Sequence, residues 1–92
     1  LQAQVVEWRR YLHQRPELGF QEQLTAAFVA QKLQEWGIEH QTEIAKTGIM
    51  ATIRGHRPGP VLAIRADMDA LPIQEENDIP YRSQHDGIMH AC

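Results

Sequence analysis

Two clusters in the last third of the chain carry side chains suited to metal-assisted or acid–base chemistry. The first is Arg65-Ala66-Asp67-Met68-Asp69, directly after the apolar run Val61-Leu62-Ala63-Ile64. In open α/β sheets, ligands gather beyond the carboxyl ends of the strands. Two carboxylates at i, i+2 in such a place can orient a metal-bound histidine. They can equally cap turns and pair with Arg65, since aspartate is a frequent loop residue for local reasons. The second cluster is His85, His90 and Cys92. Thiolate and imidazole are the right donors for zinc, nickel or cobalt. The spacing is not that of a zinc finger, and a tetrahedral site needs about three or four protein ligands. Loop histidines beside a buried thiol remain the rival reading.

Other candidates carry less. His13 stands at a helix end before Pro16-Glu17-Leu18, where the helix dipole favours an imidazolium, so a structural role is expected. Glu75-Glu76 is an acidic pair expected to lie solvated in a loop. His40 and His56 carry no signal. Trp8, Phe28 and Trp36 fall at helical spacing and read as core.

The elements that must position these groups can be read from periodicity. Residues 4–14 read as a helix with Val5, Trp8 and Leu12 on one face and Arg9, Arg10 and Gln14 towards water. Pro16 ends it, because proline disfavours a helical residue before it and lacks an amide donor. A second helix is expected from about Glu22 to Trp36, with Ala26, Val29, Leu33 and Trp36 as its stripe and Leu24 and Phe28 widening it. Gly37 suits a left-handed cap, and Glu22 sits at the positive end of the dipole. Residues 38–44 and 49–54 then change to strand character, and His56-Arg57-Pro58-Gly59-Pro60 is a turn by composition. The run 61–64 suits a strand covered on both faces. From Asp67 onward the chain is polar and irregular, with Pro72 and Pro80. The order helix, helix, strand, strand, strand defines an α/β layer.

Composition narrows the function classes. The chain has 92 residues, room for one small domain and no more. Nine basic and twelve acidic residues give a formal charge of −3, with no basic stripe for nucleic acid. No apolar run approaches the roughly 18 residues that cross a bilayer. The start, Leu1-Gln2-Ala3-Gln4, has neither a methionine nor the character of a signal peptide, so sequence is expected to precede it. A single cysteine cannot form an internal disulfide, and a cytoplasmic setting is the simpler reading.

Three segments together resemble the M20 peptidase family, in its aminoacylase-like and hippurate-hydrolase-like branch. They are Arg10-Tyr11-Leu12-His13-Gln14-Arg15-Pro16-Glu17-Leu18-Gly19-Phe20, Ile64-Arg65-Ala66-Asp67-Met68-Asp69-Ala70-Leu71-Pro72-Ile73 and Asp86-Gly87-Ile88-Met89-His90-Ala91-Cys92. They occur in the family's order and spacing, and the resemblance covers nearly the whole chain. It implies that residues 1–92 are the N-terminal portion of a zinc-peptidase-like three-layer α/β/α catalytic domain. The rest of that domain and the family's dimerisation domain would then lie outside these residues.

The resemblance also implies a chemistry. In that branch the third motif continues after the cysteine as Gly-His-Asp, and the cysteine and that histidine bind metal. Cys92 is thereby expected to be a metal ligand. Asp69 matches the position where related metallopeptidases keep an aspartate that orients a metal-binding histidine, while His90 stands beside the ligand position. The implied centre holds two divalent ions (Zn, Mn, Ni or Co), which polarise the scissile carbonyl and acidify a bridging water. A glutamate outside this chain would serve as general base. The implied reaction is hydrolysis of the amide bond of N-acyl amino acids or similar small amides by a homodimeric protein, with the 92-residue chain alone inactive. The alternative is a stand-alone short α/β dimerising or binding module with a vestigial metal site.

Overall fold

The computed structural model describes residues 1–92. Its elements are helix α1 (Gln2–Gln14), helix α2 (Gln23–Glu35), strand β1 (Glu39–Ile44) and strand β2 (Gly48–Thr52). The helices and the two strands lie within two residues of where periodicity puts them. β1 and β2 pair antiparallel, with Glu39 opposite Thr52 and Gln41 opposite Met50. Between Gln41 and Ile44 the register shifts, so Thr42 and Glu43 face Ile49. The bulge and turn place Glu43, Ala45 and Lys46 at positive φ.

Local sequence explains the helix boundaries. α2 ends in a Schellman motif: Gly37 takes φ +67, its amide donates to Gln34 O, and the Ile38 amide donates to Leu33 O. At the other end, the α2 amides find a carboxylate from a distance. Glu17 accepts from the Leu24 and Thr25 amides (3.1 and 2.6 Å) and from Thr25 Oγ1 (2.7 Å). A carboxylate at a helix N-terminus satisfies orphan donors and meets the positive end of the dipole. Glu22 turns away from its own helix and accepts from Thr47 Oγ1 at 3.2 Å, which ties α2 to the β1–β2 turn. Two aromatic pairs join the helices: Tyr11 stacks on Phe28 (4.7 Å between centroids) and Trp8 tilts against Trp36 (5.4 Å).

The run Val61–Ile64 departs from expectation. It forms no strand, and Val61, Leu62 and Ile64 are 95%, 84% and 88% exposed. A strand exists only where a neighbour accepts and donates its backbone bonds, and no segment of residues 1–92 lies beside this one. The interior is correspondingly polar. Seven residues are buried, and only Pro16 and Ala70 among them are apolar; the others are His13, Glu22, Thr25, Thr47 and Glu75.

Candidate functional site

Backbone pairing brings the three sequence segments together. The Ala70 amide donates to Glu17 O at 2.8 Å, making a parallel bridge between Leu18 and Ala70. Leu71 and Met89 then exchange both amide bonds, at 2.9 and 3.0 Å, as an antiparallel bridge. Two single-residue bridges thus link Leu18, at the end of the first segment, through Ala70 and Leu71 of the second to Met89 of the third, as one small seam. Gly19 lies close to the seam's acidic end: a Cβ there would stand 3.7 Å from Asp69 Oδ2.

Each expected site residue has a definite place. Asp67 pairs with Arg65 at 2.9 Å, with both side chains largely in solvent, so the local pairing reading holds for Asp67. Asp69 is exposed beside Gly19 and makes no hydrogen bond or ion pair. Cys92 is a free, exposed thiol. His90 is half-buried, and its Nε2 is wholly buried with no hydrogen-bond partner. Burial pushes the His90 pKa down, the positive charges of His13 and Arg9 push the same way, and Asp69 opposes them. A cavity of about 370 Å³ lies between the helices and the seam, and Arg9, His13, Asp67, His90 and Cys92 share its wall. His85 stands apart in solvent.

These residues do not by themselves fit a metal ion. No three histidine, cysteine or carboxylate groups converge, and a closed tetrahedral site takes three or four ligands. The donor chemistry of Cys92 suits a soft or borderline ion, but residues 1–92 supply at most part of a set.

One functional-looking residue breaks with the sequence expectation. Glu75 is buried, 2% exposed, rather than solvated. Its carboxylate accepts from the Ser83 amide (2.5 Å), from Asn77 Nδ2 (3.1 Å) and from His13 Nε2 (3.0 and 3.1 Å to its two oxygens). The Ser83 amide bond is the main cause that lowers its pKa from 4.5 to about 2; Asn77 and His13 add to it, against the opposing effect of burial. The pair joins positions 62 residues apart, a contact that no local pattern encodes. The one available signal was the loop itself: a polar segment with two prolines and no ladder needs an internal acceptor for its amides.

Comparison with known proteins defines the class. The model of peptidase family M20/M25/M40 matches residues 63–92, which hold the Asp67–Asp69 and Met89–Cys92 segments. An N-acyl-L-amino acid amidohydrolase of Geobacillus stearothermophilus is 52% identical over the whole chain, which covers 25% of its length. A hippurate hydrolase of Campylobacter jejuni is 46% identical, again over the whole chain and 24% of its own length. The crystal structure of a Bacillus subtilis protein described as a dinuclear metal-binding peptidase of the M20 family superposes with a TM-score of 0.91. It is 48% identical, across 98% of this chain and 26% of that one. The chain belongs to the M20 family of peptidases and amidohydrolases, and its helices and hairpin match the N-terminal part of the family's α/β catalytic domain. It spans about a quarter of the length of the curated relatives it matches.

Proposed function

We propose that residues 1–92 are the N-terminal segment of the catalytic domain in a metal-dependent amidohydrolase that cleaves N-acyl amino acids or similar small amides. The observation that carries this reading is the seam. It joins Leu18 to Ala70 and Leu71 to Met89, next in sequence to the Ala66–Met68, His90 and Cys92 positions that line the cavity, in a chain about half identical to such hydrolases. In this reading Cys92, a free and exposed thiol, is one metal ligand. Asp69, free of any partner within these residues, orients a ligand imidazole from the far side, the usual work of a carboxylate behind a metal-bound histidine. A pair of divalent ions, with Cys92 as one donor from these residues, would supply Lewis acidity at the scissile carbonyl.

A chimera tests the reading. Residues 1–92 replace the matching segment of the Geobacillus amidohydrolase, and hydrolysis of a panel of N-acyl amino acids is measured beside the unaltered enzyme. The chimera is expected to turn over within about one order of magnitude of the parent, while the 92-residue chain alone shows no turnover with added Zn²⁺, Mn²⁺, Ni²⁺ or Co²⁺. Loss of general acid–base catalysis alone costs about 10²–10⁴ in rate. A folded, metal-loaded chimera without activity, or turnover that survives repurification of the short chain, contradicts the proposal.

A further inference from the structure

The Glu75–His13 pair lies outside the metal chemistry, and its connections run to the site. Glu75 is held from three directions: by His13 on α1, by the Asn77 side chain and by the Ser83 amide. Its backbone carbonyl also accepts from Arg82 Nη2 at 3.0 Å. Ser83 passes the constraint onward. Its hydroxyl lies 2.7 Å from Ile88 O and accepts from the His85 amide at 3.1 Å. Ile88 precedes Met89, whose amide and carbonyl both pair with Leu71. Further contacts seat the same loop on α1. The Gln84 amide donates to Gln14 O at 3.0 Å, and Arg10 lies 4.6 Å over the Tyr81 ring, which meets the edge of His13. A carboxylate this buried is tolerable only because its oxygens are satisfied.

We propose that Glu75 and His13 are positioning residues: the pair clamps loop 72–88 onto the last turn of α1 and so fixes where the Met89–Cys92 segment, and with it the Cys92 thiol, stands. The clamp rests on the contacts above; only its catalytic meaning rests on the proposed role of Cys92. Charge-assisted bonds are about twice as strong as neutral ones, and removing one partner leaves the other buried and unsatisfied. The effect of breaking the pair is therefore concentrated in the loop and seam, since α2 and the hairpin have their own ties through Glu17 and Glu22.

The lone cysteine makes the test direct. A nitroxide label on Cys92 of the 92-residue chain carrying Leu62→Lys, diluted with unlabelled chain so that only intramolecular effects count, broadens nearby amide resonances, and Arg9 and His13 share its cavity wall. In the parent protein, strong broadening at the C-terminal half of α1 is expected. In Glu75→Ala and in His13→Ala this broadening falls severalfold, and the Leu71, Ser83 and Met89 amides exchange about tenfold faster or more, the scale of one lost charge-assisted bond. The β1–β2 and α2 amides keep their protection. His13→Gln, which retains a side-chain donor, recovers part of the effect. Unchanged broadening and exchange in the alanine variants would overturn the proposal. So would equal loss of protection in every element, because the pair would then support the whole fold rather than a local position. An unlabelled Cys92→Ser control is expected to leave Leu71 and Met89 protected, so failure of the ligand reading leaves a separate signature from failure of the clamp.

Discussion

Glu75 shows how one carboxylate can organise a loop that has no regular structure. Its three donors arrive from α1, from Asn77 and from Ser83, and they favour the ionised form. Its pKa falls from 4.5 to about 2, with the Ser83 amide as the leading cause. The sign of the linkage follows. A carboxyl group whose pKa is depressed on folding contributes its stabilisation in full above the unfolded value and loses it as pH falls through the folded one. Loop docking is thus expected to be intact above pH about 4.5 and to weaken progressively towards pH about 2. An NMR titration of the Ser83 amide, together with the Glu75 carboxyl carbon, reads this directly. A midpoint near 2 is expected; a midpoint at the ordinary 4.5 would show that the carboxylate is not held as described. The sequence made the motif residues legible through their order along the chain. It left Glu75 illegible, because the worth of that carboxylate comes from donors placed only once the loop has folded back on α1.

Among the elements, what the sequence disclosed follows how local each signal is. The α1 and α2 periods, Pro16 and the Gly37 cap act within a few residues, and both helices end where these signals put them. The strand character of β1 and β2 was legible for the same reason; their antiparallel pairing and its bulge come from the structure. Val61–Ile64 was read as a buried strand on composition, and it lies exposed without a partner. Apolar composition describes a preferred environment rather than a local conformation, and no segment of residues 1–92 pairs with this run. An apolar extended segment with unpaired backbone groups is a template for another chain. Burying about 500 Å² of such surface is worth roughly 12 kcal/mol at about 25 cal/mol/Å², against association costs of about 4–15 kcal/mol. The 92-residue chain is expected to self-associate, and Leu62→Lys is expected to move that association to higher concentration. Light scattering over a concentration series decides it: a monodisperse monomer at high micromolar concentration would show that this segment drives no pairing.

The molecule as a whole exposes more surface than a finished domain of its mass. Its accessible area is 7618 Å², against roughly 5,500 Å² for a folded monomer of this size. Its radius of gyration is 15.0 Å and its extents 48 × 31 × 22 Å, where a compact domain of this length has a radius near 12 Å. Both figures agree with a chain that spans a quarter of its relatives' length while keeping the local geometry of their solved counterpart. Cys92 sits at the open end of this surface, at the seam where the three motifs meet. Its role is tested most directly by metal content in the chimera that carries residues 1–92 in the Geobacillus enzyme. Purified chimera and its Cys92→Ser variant are compared by elemental analysis and by amide hydrolysis. Metal per subunit and turnover are expected to fall together in the variant, with thermal unfolding of the metal-free forms unchanged. Equal metal stoichiometry in the two proteins would contradict the assignment of Cys92 as a ligand.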